Sequence, residues 1–359
     1  MSVRRLAAVA AFLTTVVVPV ALSANGATAA PATERGATPP ADDAAARGLV
    51  MRDLHKADSG PCVGGYDVVG HPGMCTPGPD AAPEGVDVRA KGGNSGGGGK
   101  RGPSPSPSPT TTATASPSPS PTSSPVPAGA RCGTDGSRVQ AVYAVASDVA
   151  DSYDSLLPSL RHWASVADGV FANSAVETGG TRHVRYVTDA DCVATVLKVV
   201  LSPTGDDSFS NTVTELRAAG LDRLDRKYMV WVDSNVYCGI GNIKGDDRAG
   251  ADNSNNVGPS YGRTDRGCWG GFTEAHELMH NIGGVQLSAP HSTGAWHCTD
   301  EYDRMCYREN NAVMTYVCPQ EHDALFDCNH DDYYSTAPQL GTYLVDHWNA
   351  ADSVFLTTG

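Results

Sequence analysis

The chain has 359 residues, 40% of them apolar, and a formal net charge of −14. That length is enough for one substantial core plus further segments. The acidic balance argues against nucleic acid and anionic membrane surfaces as partners, since both carry the same sign of charge.

Residues 1–30 read as a signal peptide. Arg4 and Arg5 form a charged start, Leu6 to Leu22 an apolar run, and Ala27 to Ala29 a small-residue cleavage site. The mature protein is therefore expected to be secreted, with no membrane contact after cleavage. Residues 31–100 are rich in Ala, Gly, Pro and Asp and form a low-complexity N-terminal segment, a candidate propeptide, in which Cys62 and Cys75 bound one short piece. Residues 101–127 repeat Ser-Pro and Thr-Ala and read as a stiff, extended linker. Residues 128–359 carry the periodic apolar patterns of a folded domain.

Within that domain, Gln140–Ala146 reads as a first strand and 155–172 as a helix, with Leu156, Leu160, Trp163, Val166 and Val170 recurring at three and four. Arg182–Val187 and Thr195–Leu201 read as strands. Ser210–Ala219 reads as a helix opened by a serine cap, and Tyr228–Val232 as a strand from a sheet centre. Residues 244–262 read as a polar loop. Phe272–Ile282 is expected to be a helix stopped by Gly283 and Gly284, and Gln339–Ala350 a closing helix.

The ten cysteines are even in number and suit an oxidising compartment. None stands in a CxxC pair, so a cysteine-bound zinc is not expected. Nearest neighbours in sequence suggest Cys62–Cys75, Cys132–Cys192, Cys238–Cys268, Cys298–Cys306 and Cys318–Cys328.

The most informative stretch is His276-Glu277-Leu278-Met279-His280. An HExxH on a helix sets two imidazoles one turn apart on one face, where both can bind one Zn²⁺, with the glutamate beside the metal's water. Gly283, three past His280, lets the chain leave the helix sharply. A third ligand must come from beyond it. His291, fixed by Pro290 before it, is the first choice and His297 the second. Met305-Cys306-Tyr307 and Met314-Thr315-Tyr316 both offer Met-x-Tyr, similar to the Met-turn of the metzincin zinc endopeptidases; the first is preferred, and the resemblance implies Tyr307 as a hydroxyl that could stabilise an oxyanion. Asp327-x-Asn329-x-Asp331-Asp332 spaces oxygen ligands as a Ca²⁺ loop does, but lacks the glycine and glutamate of an EF-hand. It reads first as a solvated acidic turn, with Ca²⁺ as a second candidate cation. The segment Cys75 to Asp80 is similar to the inhibitory cysteine segment of matrix metalloprotease propeptides. A Cys62–Cys75 disulfide would remove that thiol.

His276-Glu277-x-x-His280-x-x-Gly283, at the boundary of an α/β half and a loop-rich half, resembles the metzincin clan of zinc endopeptidases. Where that clan has a third His or Asp, this chain has Gln286. A longer excursion before the third histidine is similar to the leishmanolysin branch. Ser202–Asp207, Tyr237–Gly241, His291–Tyr307 and Asp331–Tyr333 resemble a group of secreted actinobacterial proteins. The resemblance implies an α/β, zincin/metzincin-like fold: a twisted mixed sheet with backing helices and an active-site helix, then a small, irregular, disulfide-rich lower lobe. It also implies a monomeric, secreted zinc metalloendopeptidase acting on a protein or peptide substrate. His276, His280 and His291 would hold the metal, with Glu277 as general base and Tyr307 assisting. Two rivals use the same residues: a non-catalytic, zinc-stabilised extracellular binding protein, and a zinc amidase acting on cell-wall peptides.

Overall fold

The structure, a computed structural model, describes residues 49–82, 86, 88 and 132–358. The expected signal peptide and linker lie outside the described residues. The N-terminal part contributes three short antiparallel strands, β1 (Leu54–Lys56), β2 (Tyr66–Val68) and β3 (Cys75–Thr76). The main body follows as β4 (Arg138–Ala146), α1 (Tyr153–Glu177), β5 (His183–Val184), β6 (Val196–Leu201), α2 (Phe209–Ala218), β7 (Arg226–Val232), β8 (Gly239–Gly241), β9 (Ser260–Asp265) and α3 (Phe272–Asn281). After α3 come only β10 (Asp300–Glu301), β11 (Thr315–Tyr316), α4 (Tyr343–Asp346), β12 (Leu356–Thr357) and short 3-10 turns.

The chain is thus a mixed α/β protein around a five-stranded sheet of order β6-β4-β7-β9-β8. β6, β4, β7 and β9 run parallel, and β8 closes one edge antiparallel to β9. Alternate side chains divide two cores. Val139, Ala141, Tyr143 and Val145 of β4, with Met229 and Trp231 of β7, pack against residues of α1 and α3. Val142, Ala144, Tyr228, Val230 and Val232 pack against α2 residues Phe209, Val213 and Leu216 on the opposite face. Both faces are covered, which is why β4 and β7 are almost unbroken apolar runs. As expected, β7 is the central strand.

Several elements differ from the reading of the sequence. The polar stretch 244–262 ends in a strand, because β9 buries Arg263 and Asp265 as a bidentate pair at 2.7 and 3.0 Å, hiding its apolar signal. The serine that caps α2 is Ser208, whose hydroxyl accepts from the Asn211 amide. The closing helix shrinks to one turn. Gly341 is left-handed, and the chain extends after Asp346 so that the Trp348 amide can reach Asp247 O at 2.7 Å. The strand read over Arg182–Val187 is only His183–Val184, paired with β12.

The N-terminal segment has too few apolar residues for its own core, yet it docks. Leu54, Val68 and Met74 join the α2 face, and the disulfide of Cys62 and Cys75 packs with Ile243 and Trp296. Ser208 Oγ donates to Asp53 and Ser210 Oγ to Val69 O. All five disulfides follow the nearest-neighbour pairing, and no described cysteine is free. Among the described residues no helix is long and apolar enough to cross a membrane.

Candidate metal centre

Helix α3 opens at Gly271, whose φ of +99° admits no side chain comfortably, and whose amide donates to Glu274 three residues on. It ends where the Gly283 and Gly284 amides turn back to His280 O and Met279 O. Between these caps, His276 and His280 lie one turn apart and are buried, their Nε2 atoms 3.0 Å from each other.

The third imidazole is His297, with Nε2 3.0 Å from that of His280. This corrects the first expectation. His291 is not in the group; its ring faces Asp300, Asp331 and Asp332. The loop after α3 explains the difference. It runs past His291, turns through left-handed Gly294 and Trp296, and returns to pair Ser292 with Cys298, which carries His297 inward. Spacing from Gly283 could not show that return.

Each ring has its other nitrogen engaged by an acceptor. Nδ1 of His276 meets Arg304 O at 2.8 Å, that of His280 meets Gly284 O at 3.1 Å, and that of His297 meets Glu309 Oε1 at 2.9 Å. An acceptor at Nδ1 requires the proton there, so the three Nε2 lone pairs converge. Lone pairs at 3.0 Å repel unless a cation lies among them, so this donor set fits a metal ion of the Zn²⁺ type. Burial above all holds the His280 pKa well below its ordinary value, which favours the neutral, ligating form.

The chain continues to Met305, fully buried, and Tyr307, whose ring centroid is 4.1 Å from that of His297. Asp303 fixes this turn by accepting from the Met305 amide, the Cys328 amide and the Tyr333 hydroxyl. Met314, the other candidate, is only partly buried. Cys298, Asp303 and Cys306 also cluster, but the two cysteines form a disulfide and offer no thiolate.

Asp80, to which no role was assigned from its sequence context, lies at the open side of the three rings. Its Oδ2 is 3.3 Å from His276 Nε2, its Oδ1 is 3.8 Å from His297 Nε2, and Oδ1 accepts from the Tyr307 hydroxyl at 2.9 Å. It also shares a hydrogen bond with Glu277. Burial alone would raise the Asp80 carboxyl, but His276, Glu277 and His297 outweigh it and hold it well below the carboxylate range. Glu277 is pushed well above that range by burial and then by the Asp80 charge. Residues 75–80 are buried and follow edge strand β8: the Ile243 amide donates to Cys75 O and the Asp80 amide to Gly239 O, both at 2.9 Å. A side chain at Gly239 would meet Glu277 Oε1 at 2.0 Å, so the glycine lets the carboxylate lie against the strand. The thiol envisaged at Cys75 is consumed by the disulfide, and the same segment delivers a carboxylate five residues later. Glu309 also went unnoticed, since an acidic residue in a loop carries no periodic signal.

The proposed Ca²⁺ loop is built otherwise. Asp327 is buried and accepts from the amides of Asp331, Asp332, Tyr333 and Tyr334, so it holds a turn instead of facing an ion.

No family model matches the chain, and no curated protein does either. A solved structure described as a chaperone-substrate complex is similar over 61% of this chain and 34% of that one, at 14% identity and a TM-score of 0.25.

Proposed function

We propose that this chain is an exported zinc-dependent endopeptidase held latent by its own N-terminal segment. His276, His280 and His297 hold the metal and Glu277 is the general base. The observation that supports this best is the convergence of three Nδ1-anchored imidazoles beside a buried glutamate. When bound there, Zn²⁺ supplies Lewis acidity and lowers the pKa of water. Glu277 accepts a proton from the attacking water and delivers it to the leaving amine. Tyr307 donates its hydroxyl to an anionic oxygen, the contact it now makes with Asp80. Edge strand β8 offers backbone pairing to an extended peptide, the pairing that residues 75–80 now use. Five disulfides suit export to an oxidising compartment.

One observation favours a second reading. With Asp80 included, the centre has four protein donors, as closed structural zinc sites do. Glu277 tells against it. A structural site has no use for a buried carboxyl whose Oε1 has no hydrogen-bond partner among the described residues. The test compares casein cleavage by the chain cut within 101–127 with that of its Glu277→Ala variant at matched zinc content. A loss of roughly 10²–10⁴-fold with zinc retained is expected. Equal activity in both, or none in either, removes the peptidase reading.

A further inference from the structure

We propose a second, structural metal site, formed by His291, Asp300, Asp331 and Asp332 and taking a Zn²⁺-type ion that clamps the loop carrying His297. His291 Nδ1 lies 3.2 Å from Asp332 Oδ2, 3.4 Å from Asp300 Oδ2 and 3.7 Å from Asp331 Oδ1. The four donor atoms are all within 4.8 Å of one another. Donors about 2.0–2.2 Å from a tetrahedral centre stand roughly 3.3–3.6 Å apart, so the spacing suits zinc. Ca²⁺ takes about 6–8 oxygen ligands and no imidazole, so this donor set favours zinc over calcium.

Charge and unpaired atoms point the same way. Three carboxylates face one imidazole, and a proton on His291 balances only one of them. Asp300 and Asp332 have side chains only 2% exposed. Asp300 turns its Oδ2 to His291 and receives only a long 3.4 Å contact from Asn329 Nδ2, while its Oδ1 has no hydrogen-bond partner. Asp331 is about one-third exposed, but its Oδ1, 3.7 Å from His291 Nδ1, is a buried atom with no hydrogen-bond partner. Orphaned carboxylate oxygens of this kind are costly to bury unless a cation takes them up. The His291 amide donates to Asp332 Oδ1 at 2.9 Å, orienting that carboxylate.

The placement gives the ion a task. His291 and Asp300 bracket the turn that carries His297, and the Thr299 amide closes its base on His291 O at 2.8 Å. Asp331 and Asp332 tie that base to the turn held by Asp327. All four positions are filled by protein, and no described general base stands beside them, which marks a structural site.

The test uses the full chain and zinc alone. After chelation, reloading and removal of excess ion, wild type should carry two zinc per chain, His276→Ala/His280→Ala one, and Asp300→Asn/Asp332→Asn one. A zinc count unchanged by Asp300→Asn/Asp332→Asn overturns the proposal. Should that variant fail to fold, anomalous scattering from wild-type crystals at the zinc edge decides. A peak among His291, Asp300, Asp331 and Asp332 upholds the site, and a peak only among the three histidines overturns it. A peak only at the second site upholds it while removing the proposed catalytic centre. No peak at either removes both. Ca²⁺ binding there in preference to Zn²⁺ also overturns the assignment.

Discussion

The two clusters of donor atoms share one stretch of chain, residues 291–301, and are built in opposite ways. His276, His280 and His297 are neutral donors, each oriented by an acceptor behind it, and their fourth neighbour, Asp80, comes from a distant segment. His291, Asp300, Asp331 and Asp332 are mostly anionic and come from two adjoining turns. Under the proposed function, removing the N-terminal segment would open the fourth position of the first cluster to substrate, whereas the four donors of the second belong to the folded body. On that proposal the first cluster carries chemistry and the second gives support.

The largest effect expected is at the third histidine. His297→Ala should remove zinc from the first cluster and abolish activity, because it deletes a donor. The loss should exceed the roughly 10–100-fold typical of outer hydrogen-bond partners. His291→Ala should leave the HExxH zinc in place while lowering melting temperature. Zinc content and casein cleavage of the two variants check this; the reverse pattern would restore His291 as the catalytic ligand. Next comes Tyr307→Phe, expected to lower kcat by about 10²–10³-fold with little change in KM, as for loss of one oxyanion donor. An equal fall in kcat/KM through KM alone would make Tyr307 a binding residue. Asp80→Asn in the full chain should raise activity by about tenfold for every ~1.4 kcal/mol of segment docking that it removes. A fall in zinc content with no rise in activity would mean that Asp80 completes a closed structural site.

What could be read in the sequence follows the range of the interactions. Helix α3 was legible because HExxH, Gly283 and Gly284 are local. The strands β4 and β7 were legible because burial on both faces leaves apolar runs. The disulfides followed sequence proximity: three close loops with separations of 13, 8 and 10 residues, while Cys238–Cys268 and Cys132–Cys192 pair nearest neighbours in sequence across 30 and 60. β9 was missed because Arg263 and Asp265 satisfy each other inside the fold. His297 and Asp80 were misjudged for one reason: their positions depend on how irregular chain returns to the helix. His297 arrives through two left-handed residues. Asp80 arrives by pairing with an edge strand more than 150 residues further along the sequence.

The smallest effect concerns a control for this comparison, the pair His183–Asp168. Here one imidazole meets one carboxylate, Nδ1 to Oδ2 at 2.9 Å, and a proton alone balances the charge. The hydrogen bond to Asp168 raises the His183 pKa above its ordinary value despite partial burial. Because the folded value is the higher one, the pair's contribution to stability is fully present below the ordinary histidine pKa. It is lost as the pH rises through the raised folded value. Urea unfolding of metal-free protein should therefore show this contribution, about 1 kcal/mol, at pH 5.5 and not at pH 8.5. Asp168→Asn should remove that difference, while its carbonyl can still accept from the Val184 amide, as Asp168 Oδ1 does. The cluster at His291 should behave otherwise, since its surplus of carboxylates calls for zinc: adding the ion should stabilise wild type and Asp168→Asn alike, and Asp300→Asn/Asp332→Asn less. Zinc stabilisation that vanished with Asp168→Asn would place the ion elsewhere and dissolve the contrast between the two kinds of pair.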